Sequence, residues 1–282
     1  MIKSFIFKIT IPLLFILALV IWILWANKAV MLNKITIKSN KLPQSFDGFK
    51  IAHLSDIHNT DLGNGNIDVI NILKTQKPDI IAITGDLLDT RRPGYDISID
   101  LIKEASKIAP CYFVPGNHEA KSSQYIPLRS KLNSIGVEVV EDRKIQIERN
   151  GEYITLIGIC DPLIKTQKLT GDSKTVTNKR LDNLNIDKNS YNVLLAHRPE
   201  LFDIYAEHEI DLVLAGHAHG GQVRLPFIGG LYAPNQGLFP EYDSGLYTKN
   251  DTNMVVSRGL GKSVIPLRFN NRPEVIIIEL TK

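Results

Sequence analysis

Five times in this chain a short apolar run stops abruptly at a polar residue. Ile51-Ala52-His53-Leu54-Ser55 ends in Asp56-Ile57-His58, and Asp79-Ile80-Ile81-Ala82-Ile83-Thr84 ends in Gly85-Asp86-Leu87-Leu88-Asp89. Cys111-Tyr112-Phe113-Val114-Pro115 ends in Gly116-Asn117-His118-Glu119. Tyr191-Asn192-Val193-Leu194-Leu195-Ala196 ends in His197, and Asp211-Leu212-Val213-Leu214-Ala215 ends in Gly216-His217-Ala218-His219. Runs this short, many of them β-branched, suit strands covered on both faces. Further strand-length runs lie at Ile35–Lys38, Ile154–Ile159, Met254–Ser257 and Val275–Leu280, and helical patterns at Asn66–Thr75, Ile97–Ile108, Tyr125–Ile135 and Glu200–Glu207. The alternation predicts an α/β domain with a largely buried sheet. In open α/β sheets, sites form outside the carboxyl ends of the strands, so the five endings predict one convergent polar cluster. Gly85, Gly116 and Gly216 allow the tight exits that would turn the next side chain into it.

The composition agrees with a folded globule. The chain has 282 residues, 44% hydrophobic and 22% charged, which excludes a disordered chain. At about 100–200 residues per domain, it holds one large domain or two small ones. The net charge is only +3 and the basic residues are scattered, so no nucleic-acid partner is expected. Cys111 and Cys160 are too few for a disulfide framework and lack the spacing of a thiolate zinc site.

At the N-terminus, Ile9 to Ala26 is an uncharged run rich in Ile, Leu, Val and Trp. As a helix it would be about 27 Å long, close to the hydrocarbon core of a bilayer. Trp22 and Trp25 sit at its far end, where aromatic rings favour the membrane interface, and Pro12 falls in its first turn. The run is longer than the core of a secretory signal, and Ala26-Asn27-Lys28-Ala29 is a poor cleavage site. The expectation is an uncleaved single-pass anchor over 1–28, a connector with a first strand over 29–49, and a catalytic domain over 50–282. Lys3 and Lys8 precede the run, whereas Lys28, Lys34, Lys38 and Lys41 follow it, so the positive-inside count does not favour export.

The strand-end residues offer imidazole, carboxylate and amide oxygen without thiolate, a set that suits Mn, Fe, Zn, Co or Ni. They are too many for one ion. Two ions sharing a carboxylate would use them all, and a two-metal site suits in-line displacement at phosphorus.

In this order, Asp56-x-His58, Gly85-Asp86-x-x-Asp89, Gly116-Asn117-His118-Glu119, His197 and Gly216-His217-x-His219 resemble the calcineurin-like metallophosphoesterase superfamily. Any one block is weak; the ordered set, spanning 56–219, is specific. With the N-terminal run, Gly220-Gly221-Gln222-Val223-Arg224-Leu225-Pro226 is similar to a membrane-associated bacterial branch. The resemblance implies a two-sheet α/β sandwich, here preceded by one transmembrane helix. It implies two divalent metal ions, one held by Asp56, His58 and His219, the other by Asn117, His197 and His217, with Asp86 shared. It implies in-line attack of a metal-bridging hydroxide on a phosphodiester or pyrophosphate. His118 would then act at the leaving oxygen, oriented by Asp89. Some relatives in the broader group hydrolyse UDP-2,3-diacylglucosamine or other phosphodiesters, so a diester or a lipid-linked substrate is favoured over a protein phosphate. A phosphomonoesterase and a non-catalytic membrane-bound interaction module are the other readings; the second would be expected to have lost ligands.

Other residues read more plainly. His53 sits within a strand and is expected in the core, His208 on the surface, and both cysteines as small buried hydrophobes. Arg224, Arg258, Arg268 and Arg272 could each hold phosphate or be ordinary surface charges. Residues 225–249, with Pro226, Pro234, Pro240, Tyr232, Phe239, Tyr242 and Tyr247, form a long irregular stretch placed to meet a lipid. Glu119 is a weaker candidate for a hydrogen bond near the site.

Overall fold

A computed structural model describes residues 2–165, 169–262 and 267–282, with side chains from Thr10 onward. Two six-stranded sheets form the body. The first contains β1 (Met31–Lys38), β2 (Phe49–Leu54), β3 (Ile80–Ile83), β4 (Cys111–Phe113), β5 (Glu138–Val139) and β16 (Glu274–Thr281), in the order β1-β16-β2-β3-β4-β5. Strands β2 to β5 are parallel, and β16 runs antiparallel to β2 but parallel to β1. The second contains β6 (Arg143–Arg149), β7 (Glu152–Gly158), β8 (Asn192–Leu195), β9 (Leu212–Ala215), β14 (Gly245–Lys249) and β15 (Thr252–Val256), in the order β14-β15-β9-β8-β7-β6. Its four central strands are parallel and its two edges antiparallel.

The apolar runs are continuous because each strand feeds two cores. In β3, Ile80 and Ala82 join the core between the sheets, with Ile51, Leu156, Val193, Leu214 and Ile278. Ile81 and Ile83 face the other way, onto α2 (Ile67–Gln76), α3 (Asp96–Ala105) and α5 (Tyr125–Ser134). In β8 and β9, Leu194 and Val213 likewise turn outward onto α6 (Ser173–Asn183) and α7 (Phe202–Glu207). Each fully buried Leu, Ile or Val contributes about 1.5–3 kcal/mol, so both alternating sets are under strong constraint.

The strands expected at β3 and β9 match to the residue, and the four expected helices are present within a few residues. Several elements were not anticipated, among them the short edge strand β5. Strand β6 reads Arg-Lys-Ile-Gln-Ile-Glu-Arg, a half-buried edge with only Ile145 and Ile147 turned inward. Helix α6 has little apolar stripe; Val176 and Leu181 are buried beside Thr177 and Arg180. Strand β14 falls within 225–249, which is not structureless: it also carries hairpins β10 (Arg224–Leu225) with β11 (Gly229–Gly230) and β12 (Tyr232–Ala233) with β13 (Gly237–Leu238).

Helix α1 (Ile2–Ala26) precedes β1. The side chains of Lys3, Lys8 and Ile9 lie outside the described residues. From Ile11 to Trp25 its large apolar side chains are exposed, Ile23 partly excepted. Among the described residues, no helix is long and apolar enough to cross a membrane, so the expected crossing at Ile9–Ala26 is not carried by the fold itself. The end of α1 is nonetheless fastened to the body. Trp22 meets Phe269 edge-on at 5.7 Å, and Arg272 stacks over Trp25 at 4.9 Å. Arg268 N–H donates to Asn27 Oδ1 at 2.7 Å, and Arg272 Nε donates to the Ala29 carbonyl at 2.9 Å.

Candidate metal centre

All five polar endings converge where the carboxyl ends of β2, β3, β4, β8 and β9 meet. One group of buried side chains joins Asp56, His58 and His219; a second joins Asp86, His197 and His217; a third joins His58, Asp86 and His118. In each, the donor atoms lie within 4.8 Å of one another. Asp86 Oδ2 stands 3.6 Å from His58 Nε2 and 3.3 Å from His197 Nε2, between the first two groups. His219 Nε2 is 3.3 Å from Asp56 Oδ1, and Asn117 Oδ1 is 3.1 Å from His197 Nε2.

The ring orientations fit a cation. His58 Nδ1–H donates to the Leu88 carbonyl at 2.9 Å, and His197 Nδ1–H to the Thr84 carbonyl at 2.7 Å. That fixes the tautomer and turns each Nε2 lone pair inward, the usual setting of a metal-binding histidine. His58 Nε2 and His219 Nε2 then face each other at 3.1 Å, an arrangement that a shared cation would relieve. Burial, with too little opposing charge, holds His58 down at about 4 and His217 and His219 well below the ordinary histidine range. Neutral imidazoles around carboxylates are the donors a divalent ion takes. Burial also lifts Asp56 to about 6. Burial opposes charge on Asp86 and His197 as well, but their mutual attraction prevails, keeping Asp86 well below its usual range and raising His197 to about 10. Those directions belong to the protein without cations.

The floor under these side chains is strained and close-packed. Asp56, His58, Asp86, His217 and His219 all have φ between 49° and 66°, a region that non-glycine residues seldom occupy and that concentrates at functional sites. Gly85, at φ 88°, makes the tight exit expected of it. At Gly216 the reason is space: a Cβ there would overlap Ser55 Oγ and Asp56 Oδ2. Gly116 likewise would press on Asp86 Oδ1.

Glu119 carries more than its sequence context suggested. Its buried carboxylate accepts from the backbone N–H groups of Asp86 (2.7 Å), Gly116 (2.8 Å) and Leu88 (2.9 Å). It ties the β3 and β4 exits together, while burial and the Asp86 charge raise it to about 7. The relation of Asp89 to His118 differs from expectation. Asp89 Oδ1 is 3.7 Å from His118 Nδ1, beyond hydrogen bonding, and that nitrogen instead accepts the Thr90 N–H at 3.0 Å. Asp89 accepts from Arg91 N and Nε and from Arg92 Nε. The neutral His118 ring therefore carries its proton on Nε2, 3.9 Å from Asp86 Oδ2.

The remaining candidates resolve into support. Arg224 pairs with Asp243, Arg268 donates to the Gly261 and Arg258 carbonyls, and Arg272 holds the root of α1, whereas Arg258 stands 3.7 Å from Glu274 with its buried Nε making no hydrogen bond. His53 is fully buried with Nε2 2.8 Å from Thr84 Oγ1, as expected. His208 is half-buried rather than solvated, against Asn178. Both cysteines are buried. Tyr242 and Tyr247 pack edge-on at 5.1 Å, whereas Tyr232 and Phe239 are exposed.

Two contributors went unread in the sequence. Arg198, next to His197, is buried in a two-point ion pair with Asp161 at 2.6 and 3.2 Å. Asp161 ends the Ile154–Ile159 run just as the ligand residues end theirs, and that rule would have found it. Asn235, from the β12–β13 hairpin, reaches His217 Nε2 at 3.2 Å and Glu200 at 2.9 Å; only the tertiary fold brings it there. A cavity of about 610 Å³ opens over the cluster, lined by His118, Arg91, Lys121, Arg198, Pro234 and Asn235.

The sequence model described as calcineurin-like phosphoesterase matches residues 49–221. An uncharacterized metallophosphoesterase of Bacillus subtilis, YkuE, is 28% identical over 87% of this chain and 83% of its own. The Escherichia coli phosphodiesterase YaeI is 28% identical over 82% of each chain. A Bos taurus transmembrane protein with metallophosphoesterase domain is 28% identical over 91% of this chain and 58% of its own.

Proposed function

The chain belongs to the calcineurin-like phosphoesterase family and is a metal-dependent phosphoric ester hydrolase using two divalent ions; from that premise we propose that it cleaves a phosphodiester or pyrophosphate bond at a bilayer. The observation that carries the chemistry is the single carboxylate of Asp86 between two histidine groups. In this reading Asp56, His58 and His219 hold one ion, Asn117, His197 and His217 the other, and Asp86 belongs to both. When bound, the pair supplies Lewis acidity at the phosphoryl oxygens and makes water a usable nucleophile at neutral pH.

The rest is done by the chain. The Leu88 and Thr84 carbonyls keep His58 and His197 in the ligand tautomer. His118, fixed by the Thr90 amide, presents Nε2–H toward the centre and donates it to a phosphoryl or leaving oxygen. Asp89 acts on it through the Thr90–Arg92 turn. Arg91 and Lys121 at the cavity wall offset substrate charge. The relative named a phosphodiesterase supports the diester preference. Comparing bis(p-nitrophenyl) phosphate with p-nitrophenyl phosphate tests it; faster cleavage of the monoester would reverse it.

Residues 1–28 are proposed as the anchor and 50–282 as the catalytic domain, with 29–49 joining them. Support comes from the uncharged Ile9–Ala26 run, its exposed apolar side chains and the relative named a transmembrane protein. A substrate presented by a membrane, of the lipid-linked diphosphate kind, suits that placement. Fractionating cells that express the full chain tests the anchor: recovery in the supernatant after ultracentrifugation would overturn it.

A further inference from the structure

Three features lie at one end of the molecule. Met31 pairs with Glu274 and His53 with Ile276, so β1 begins where β2 ends, and α1 leaves the sheet at the edge that carries Asp56. The flap of hairpins β10–β11 and β12–β13 grows from His219–Gly221 at that same edge. Phe269 links them: it meets Trp22 of α1 edge-on, bridges Val223, and its carbonyl accepts the Arg224 N–H at 3.0 Å. From the other side of the flap, Asn235 reaches His217.

The flap turns its apolar side chains to solvent. Phe227 at the tip of β10–β11 is fully exposed, and Ile228, Leu238 and Phe239 are each more than half exposed. Phe227 and Phe239 also hold left-handed backbone, at φ 67° and 53°. For a bulky residue this costs about 1–3 kcal/mol; a backbone hydrogen bond from Phe239 N–H to the Leu231 carbonyl at 2.9 Å and one from Ile228 N–H to the Leu225 carbonyl at 3.3 Å hold the two turns, while the Phe227 and Phe239 rings stay exposed. An exposed aromatic tip at the same end of the sheet as an apolar helix is the arrangement of an interfacial anchor.

Resting on the bilayer reading above, we propose that Phe227 and Ile228, with Leu238 and Phe239, insert into the lipid surface and set the cavity mouth at headgroup level. Such insertion reaches about 5–10 Å, to the headgroup–acyl boundary. α1 fixes the chain to the membrane, and the flap fixes its tilt. The occupant is a lipid surface, because Phe269 ties the base of the flap, at Val223 and Arg224, to Trp22 of α1, and the large apolar side chains of α1 from Ile11 to Ile21 are exposed at the same end of the sheet.

The test uses the full chain in phosphatidylcholine–phosphatidylglycerol vesicles with brominated acyl chains. Single cysteines carry an environment-sensitive fluorophore at Phe227→Cys, Phe239→Cys, Phe15→Cys in α1, and Asn250→Cys. Native Cys111 and Cys160 are buried and do not compete. Asn250 lies in the β14–β15 turn, at the amino end of β15 and hence at the far end of the sheet. Expected are blue shift and bromine quenching at 227, 239 and 15, and none at 250. Quenching at 15 but not at 227 or 239 overturns the flap proposal and leaves the anchor standing. Quenching at the tips but not at 15 supports the flap and overturns the anchor. No quenching at any position overturns both. A blue shift at 227 that follows protein concentration, without bromine quenching, assigns the patch to a second copy and overturns the proposal. A Phe227→Ser, Phe239→Ser variant should keep its kcat/KM on bis(p-nitrophenyl) phosphate.

Discussion

The floor of the metal centre and the flap above it both hold residues at positive φ, but they meet the cost differently. In the floor, Asp56 accepts from Ser55 Oγ and His217 N, Asp86 accepts from His118 N, and Glu119 collects three amides. Every strained residue there is buried and held from several sides. In the flap, Phe227 and Phe239 are strained and exposed, held by backbone hydrogen bonds while their rings face solvent. Strain in the floor is compensated by the fold, and the site is built before substrate arrives. Under the proposal above, the exposed rings of the flap gain their contacts from a lipid surface. Substitutions in the floor should therefore cost chemistry, and substitutions in the flap should cost delivery of substrate.

The sharpest way to break this contrast is at Asp86. Asp86→Asn should lose both metals by elemental analysis and lower hydrolysis by roughly 10⁴-fold or more, since bound cations supply several kcal/mol of charge stabilisation. Full activity in rigorously metal-free wild type would remove the basis of the comparison. His118→Ala should keep its metals and lose roughly 10²–10⁴-fold in rate, less for substrates with very good leaving groups. A variant that loses metal instead would make His118 a ligand rather than an acid.

Glycines separate floor from flap next. Gly216→Ala should destabilise by about 1–3 kcal/mol, read from urea midpoints, and lose metal, because its methyl overlaps Ser55 and Asp56. Gly237→Ala, at φ 77° in open space, should cost about 1–2 kcal/mol of local strain and leave metal content intact. Equal metal loss in both would erase the distinction.

The floor should also be the acid-sensitive part. Burial holds His53 at about 3, so the folded protein keeps it neutral while the unfolded chain takes a proton below about 6.5. The stability linked to it is whole above pH 6.5 and is lost as pH falls toward 3. Between pH 7 and 4.5, wild type should lose about 2–3 kcal/mol more than His53→Gln. Equal losses would show that His53 is hydrated in the native state. Smallest is Asn235→Ala, which removes one hydrogen bond to His217 and should cost about 1 kcal/mol, near fivefold in kcat/KM. A larger loss would move Asn235 from the flap into the floor.

By itself the sequence determined the strand-and-helix alternation, the five polar endings and their convergence. Strand period and burial are local: a run such as Ile80–Ile83 has no stable place except between two covered faces, and the polar residues after it must leave at the sheet's edge. The same logic was available for Asp161, at the end of another such run. What only the tertiary structure decided was everything set by contacts between distant segments. Thr90, not Asp89, meets His118, because two arginines claim the carboxylate. Of the three amides that Glu119 binds, only that of Gly116 lies at capping-box spacing; those of Asp86 and Leu88 come from another strand exit. Three arginines that could have held phosphate, Arg224, Arg268 and Arg272, are engaged by an ion pair or by carbonyls. Strand β6 and helix α6 form without a strong pattern of their own, because edge pairing and packing outweigh weak local preference. The tips of the flap carry an ordinary loop sequence, and only the fold shows that they are exposed and rooted at the end of the sheet from which α1 leaves.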